Sequence, residues 1–203
     1  SMRNKIARDL HDDIGSTLGS ISFFSEAARQ QLNNNNIEAS QIVIEKIGDN
    51  SRSMIETMSD IVWSVNPEND SVDHLTTRMQ ALAADILSMQ DIRLKFYADE
   101  KLKKIKLNME QRKNIFMIFK EALYNIVKYA GCTEVEISLY DTGKKIMMEI
   151  RDNGKGFDMA AYKSYNGNGL KNMKSRAKEI DAGISIQSEV HAGTTIVLQM
   201  NKS

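Results

Sequence analysis

Two apolar stripes and a single proline constrain this 203-residue chain more than anything else in it. Ala7, Leu10, Ile14, Thr17, Ile21, Phe24 and Ala28 recur at alternating steps of three and four, and so do Ile44, Ile47, Ser51, Met54, Met58, Ile61 and Val65. Such spacing is the heptad seam of packed helices. The run Asn33–Asn36 between the stripes has poor helix propensity and reads as a tight helix–helix connection. Each stripe is ~40 Å long at about 1.5 Å per residue, and two helices alone cannot enclose it. The economical solution is a four-helix bundle in which two chains each supply a hairpin. The expectation is a homodimer, with a helical-hairpin domain over residues 1–66 and a second domain over 67–203, divided at Pro67.

Beyond Pro67 the pattern changes to mixed helix and strand. Residues 74–89 read as helix, 92–99 as strand, 109–130 as helix, and 134–141 with 144–152 as a hairpin around Thr142 and Gly143. A glycine-rich stretch follows, then a helix over 170–180 and closing strands over 183–190 and 194–200. This is an α+β domain with its helices segregated to one face of the sheet.

Composition narrows the function classes. Lysine plus arginine and aspartate plus glutamate number 27 each, so no global charge points to nucleic acid or an anionic membrane. One cysteine, Cys132, excludes an internal disulfide and a cysteine-based zinc site and fits a reducing, cytoplasmic compartment. Apolar runs such as 115–119 fall far short of the roughly 20 residues of a membrane span, and no signal-peptide pattern opens the chain. The opening Ser-Met reads as a cloning scar on a fragment, so the expectation is a longer protein with a sensor or membrane part elsewhere, this piece making no membrane contact itself.

The chemistry lies in short stretches. On the first helix, His11 flanks the seam, and its neighbours one turn away are Ala7 and Gly15, with Gly19 beyond. Mid-helix glycine costs about 0.5–1 kcal/mol relative to alanine, and one reading is that these glycines clear an approach to the imidazole; the ordinary reading is close helix packing. In the long helix of the second domain, Glu121, Asn125 and Lys128 share a face at i, i+4, i+7 and offer a carboxylate, an amide oxygen and an ammonium, suited to Mg²⁺ and phosphate. Asp152 in DNGKG follows a strand directly and can accept from an exocyclic amine, while Gly154 and Gly156 permit a sharp turn against a flat base. GNGL, with Gly167, Gly169 and Leu170, opens a helix whose free N–H groups can cradle phosphate. AGTT places the hydroxyl of Thr194 at the entry of the last strand. Each stretch alone also reads as an ordinary helix face or turn; the set, in order and each on the element its chemistry needs, carries the inference.

Taken together these stretches resemble the sensor histidine kinases of two-component systems over nearly the whole chain. ARDLHDDIG is similar to the H-box of the dimerisation subfamily shared with nitrate-sensor and thermosensor kinases, EALYNIVKYA to the N-box, and DNGKGFD, GNGLKNM and AGTT to the successive glycine motifs. The resemblance implies a dimerising hairpin, a Bergerat-type ATP-binding α/β sandwich of the kind shared with gyrase and the Hsp90 chaperones, and transfer of the γ-phosphate to histidine and on to an aspartate of a response-regulator receiver domain. It implies His11 as phosphoacceptor, Asp12 holding the second imidazole nitrogen, Glu121 as a base or an orienter of the metal shell, and Asn125 on Mg²⁺. Asp152 is implied on the adenine amine, with Lys128, Tyr129, Gly154, Gly156, Gly167, Gly169, Leu170 and Thr194 around the nucleotide.

Two positions depart from the subfamily. Tyr129 stands where histidine often follows the N-box lysine, a substitution usual in other histidine kinases. Ser16 stands where members that dephosphorylate their partner carry a glutamine, which puts phosphatase activity in question. Readings from other classes are a Bergerat-type serine kinase that binds a sigma-factor regulator, which would need neither the hairpin nor His11, and a non-catalytic ATP-binding scaffold, which would not need Asn125 and Asp152 intact.

Overall fold

The computed structural model describes residues 2–159 and 168–202, with side chains over 14–159 and 169–202. The chain divides into two compact units, Ser1–Trp63 and Ser64–Ser203. The first is a hairpin of α1 (Met2–Asn33) and α2 (Ile37–Val65). At its turn Asn35 takes a left-handed φ of 58°, which asparagine tolerates because its short polar side chain bonds locally. Asn35 N donates to Leu32 O at 2.9 Å and Asn36 N to Gln31 O at 2.9 Å, satisfying carbonyls left over at the end of α1. The Asn36 side chain then accepts from Ala39 N at 3.2 Å to start α2.

Small residues set how the two helices face one another. Ser40 and Ala28 are both buried, and Ser40 Oγ donates to Ala28 O at 3.2 Å. Along α1 the expected seam is the sheltered row over the described side chains, at Ile14, Thr17, Ile21, Phe24 and Ala28. On α2 one chain shelters only part of the expected seam. Ile47, Ser51, Met54, Ile61 and Val65 are sheltered, but Ile44 and Met58 are 51% and 38% exposed, and Val43 and Thr57 are turned in instead. The Ser40–Ala28 contact fixes the rotation of α2, and its apolar set is wider than one seam, so part of it is left on the outer side.

The second unit opens with a 3₁₀ turn at Pro67–Asn69, where proline needs no N–H partner. Its helices are α3 (Val72–Ser88), capped by Ser71, α4 (Met109–Asn125), started by an Asn108–Gln111 capping box, and α5 (Asn168–Glu179). Five strands, β1 (Arg93–Ala98), β2 (Glu134–Asp141), β3 (Lys145–Asp152), β4 (Gly183–Ser188) and β5 (Thr194–Asn201), form one sheet in the order β1-β2-β3-β5-β4. The β1–β2 pair is parallel and the others antiparallel.

Alternation dictates which face is covered. Val135, Ile137 and Leu139, then Ile146, Met148 and Ile150, then Ile196, Leu198 and Met200 are all buried beneath the helices, whereas Glu136, Arg151 and Gln199 point the other way and are exposed. Helices on one face of a mixed sheet are the α+β arrangement expected from the sequence. Arg112 on α4 is buried without a carboxylate in its hydrogen bonds; its guanidinium donates to Ser64 O and Leu107 O, each at 2.7 Å. Burial lowers its pKa, with Asp70 opposing. No helix among the described residues is long and apolar enough to cross a membrane.

Candidate nucleotide-binding site

The apolar face of the sheet ends at Asp152, the last residue of β3, and there the core opens into a cavity of about 450 Å³. Ile150 and Ile196 line it from the sheet, Glu121, Ala122 and Asn125 from α4, and Gly169 and Leu170 from the start of α5. Ile126, Tyr129, Ala130, Lys155, Gly156, Phe157 and Thr194 complete the described wall. Apolar walls with a few converging polar groups are the usual character of a small-ligand site.

Asp152 is 3% exposed, and burial raises its pKa above the ordinary carboxylate value, opposed by the backbone N–H groups of Gly154 and Thr194. Its Oδ1 accepts from Gly154 N at 2.8 Å. The DNGKG loop is folded back hard against its surroundings. A side chain on Gly154 would run into Ala130 O, and Gly156 holds a φ of 58° with Glu189 O where a Cβ would stand. Lys155 N donates to Ala130 O at 2.9 Å and Asn153 Oδ1 accepts from Thr133 N and Glu134 N at 2.9 and 3.0 Å, tying the loop to the approach to β2.

The α4 wall is less regular than its sequence. Asn125 Nδ2 donates to Glu121 Oε1 at 3.4 Å, as expected for residues four apart on one face. After Asn125 the helix widens into a π turn, Ile126–Ala130, ended by Gly131 at φ 58°. A π turn carries an extra residue per turn, so the three-residue step to Lys128 no longer keeps it in line with Glu121 and Asn125. Lys128 is exposed, its Nζ lies 5.1 Å from the centre of the Tyr129 ring, and it does not line the cavity. Glu121 and Asn125 offer two oxygen donors, and no group of three histidine, cysteine or acidic side chains that could hold a metal occurs among the described residues. Two such donors fit Mg²⁺, which keeps waters and takes the rest of its shell from phosphates, and do not make a closed protein cage.

Of the residues singled out in the sequence, Glu121, Asn125, Tyr129, Asp152, Gly156, Gly169, Leu170 and Thr194 thus share one cavity, and Gly154 braces its loop. Gly167 lies outside the described residues. His11 and Asp12 lie on α1 in the first unit, before the residues whose side chains are described. Sequence reading overlooked Lys155 and Phe157 on the cavity wall and Ser188 on β4, which accepts from Phe157 N at 2.9 Å. The glycines flanking Lys155 were the available signal for that residue; for Ser188 the signal was its place six residues before Thr194, across a hairpin.

Comparison with known proteins covers both units. The family model described as histidine kinase matches residues 3–70, and the one described as histidine kinase-, DNA gyrase B- and HSP90-like ATPase matches residues 110–203. The chain is 28% identical over 199 residues to the sensor histidine kinase YhcY of Bacillus subtilis, covering 98% of this chain and 49% of that protein. It therefore spans about half the length of that curated relative. Among solved structures, the histidine kinase AdeS of Acinetobacter baumannii superposes with a TM-score of 0.64 at 11% identity, over 91% of this chain and 95% of that one. The histidine kinase domain of a blue-light-activated histidine kinase from Erythrobacter litoralis gives 0.57 at 13%, over 97% and 94%. A helical hairpin matched by one kinase model, followed by an ATPase sheet matched by another, places this chain in the family of two-component sensor histidine kinases.

Proposed function

We propose that the chain is a kinase core that binds Mg-ATP in the cavity of its second unit, phosphorylates His11 and passes the phosphoryl group to an aspartate of a response-regulator receiver domain. Residues 1–66 form the dimerisation and phosphotransfer domain and residues 67–203 the ATP-binding domain. The observation that carries the reading is the buried Asp152 at one wall of an apolar cavity whose helical wall carries Glu121 and Asn125. A carboxylate there accepts from the adenine amine, Ile150 and Ile196 offer apolar surface to the base, and the Lys155 ammonium and the start of α5 are suited to the phosphates. Mg²⁺, held by Asn125 with Glu121 beside it, would neutralise charge on the phosphates.

Transfer requires a neutral imidazole. One ring nitrogen of His11 attacks the γ-phosphorus in line; the N–P bond forms as the bond to the β–γ bridging oxygen breaks, and ADP leaves with that electron pair. Asp12 holds the proton on the other ring nitrogen. Adjacent helical residues do not face one another, so Asp12 acts through its side-chain rotamer. The homodimer is supported by the apolar side chains that α2 leaves exposed, Ile44, Ile55 and Val62 among them.

Incubation with γ-labelled ATP and Mg²⁺ tests the assignment. The wild-type chain should acquire an acid-labile, alkali-stable label that His11→Ala abolishes, while ATP binding stays within a few-fold because acceptor and cavity belong to separate units. Label persisting on His11→Ala would sink it.

A further inference from the structure

Along three strands the inward face of the sheet is apolar until its last rung. Ile150 on β3 is paired with Ile196 on β5, which is paired with Ile186 on β4. One pleat on, the same three strands present Asp152, Thr194 and Ser188 in register. Residues two apart on a strand share a face, so a carboxylate and two hydroxyls stand in a row beside the cavity.

The hydrogen bonds of Ser188 fix the direction of that row. Its Oγ accepts from Phe157 N at 2.9 Å and lies 3.0 Å from both Gly193 O and Thr194 Oγ1. A serine hydroxyl has one proton and two lone pairs. Gly193 O cannot donate, so unless the Ser188 proton goes there, two oxygens at hydrogen-bond distance face each other with no proton between them. With that proton on Gly193 O and the Phe157 amide on one lone pair, Thr194 donates into the other. The Thr194 proton is then committed to Ser188, and toward the cavity whose wall it forms Thr194 offers only lone pairs.

We propose that Ser188 is a positioning residue that fixes Thr194 as a hydrogen-bond acceptor in the cavity, so that Thr194 and Asp152 together select a ring amine over a ring carbonyl. The proposal rests on the nucleotide reading above and deepens it. A 6-amino purine presents N–H donors to two acceptors; a 6-oxo purine sets its carbonyl lone pairs against theirs and leaves them unpaired. Released from Ser188, the Thr194 hydroxyl rotates and can donate, so it no longer opposes a carbonyl.

Calorimetric titration of the full chain with ADP and with IDP, both without metal, measures the selection. Wild type should prefer ADP, and Ser188→Ala should reduce the ADP-to-IDP preference about tenfold. In the Thr194→Val background the same substitution should leave the ratio unchanged, since no hydroxyl remains to reorient. A Ser188 that merely braces the Phe157 and Gly193 loops would weaken both nucleotides in proportion, and an unchanged ratio in Ser188→Ala overturns the proposal. Should Ser188→Ala fail to fold, Ser188→Cys keeps a side chain in place with only a weak donor and acceptor; a reduced preference there supports the proposal and an unaltered one overturns it. A wild-type chain that binds neither nucleotide would remove the nucleotide reading itself, and this proposal with it.

Discussion

Asp152 shows how a site can be built against the stability of its fold. Burial raises its pKa above the ordinary carboxylate value, more than the N–H groups of Gly154 and Thr194 lower it. Between the ordinary value and the raised one, the folded chain holds a proton that the unfolded chain has lost. Stability therefore falls as pH rises through that window, and the cost is fully present above the raised value. Asp152→Asn removes the charge and the cost together. The nucleotide-free variant should melt no lower than wild type at neutral pH, with any advantage shrinking as the pH falls toward the ordinary carboxylate range. Its nucleotide binding should weaken by roughly 1–3 kcal/mol, because an acceptor matched to the adenine amine is lost. Thermal melts across pH, paired with nucleotide titration, check both; a variant that is less stable at neutral pH and binds ATP as before would contradict each half. Asp152 was legible because its Asp-x-Gly-x-Gly stretch follows a strand directly and stands in order among the other motifs. Ser188 was not, because its role depends on pairing across two strands that sequence order does not display.

Elements were legible where one period governs them. The alternation in residues 134–141 and 144–152 matches β2 and β3 to within a residue, since one face is buried and the other wet. The end of α4 was illegible for the opposite reason. The pattern of residues 109–130 runs on without a break, yet the last turn is π, and what holds that turn is tertiary: Ala130 O accepts from Lys155 N, a residue from beyond the next two strands. Lys128 was misplaced by that extra residue. The start of the second unit depends on a single side chain in a similar way. Arg112 donates at 2.7 Å to Ser64 O and at 2.7 Å to Leu107 O, two carbonyls of the second unit far apart in sequence. Hydrogen bonds from a charged donor are worth about 1.5–3 kcal/mol each. Arg112→Met should therefore lower stability by roughly 2–4 kcal/mol in urea unfolding, and Arg112→Lys should recover little of it, because one ammonium lacks the planar fork that reaches two carbonyls. Full recovery by lysine would show that charge, not geometry, holds these two carbonyls.

At the scale of the whole molecule, the hairpin is the part that one chain leaves unfinished. Ile37, Ile44, Ile55, Met58 and Val62 on α2 are 63%, 51%, 67%, 38% and 66% exposed. At about 100° per residue these five positions fall within about 60° of one another, so they lie on one side of the helix. Burying each side chain fully gains about 1.5–3 kcal/mol relative to leaving it exposed. Scaled by those exposures and counted once for each copy, two-fold pairing gains roughly 9–17 kcal/mol, comparable to the roughly 4–15 kcal/mol that association costs. Isologous pairing of two hairpins into a four-helix bundle is the arrangement that buries these side chains with no new sequence. The sheet unit asks for no such partner, since its apolar face is already covered by its own helices. Ile55→Glu combined with Val62→Glu puts two carboxylates on that side of each copy, four in the pair, where desolvation and like-charge repulsion oppose burial. Wild type should sediment as a dimer at micromolar concentration and the double variant as a monomer, with the melting of the sheet unit unchanged because that unit packs its own core. A wild-type chain that sediments as a monomer would leave these exposed side chains without their explanation, and a double variant that stays dimeric would move the interface to another face of the hairpin.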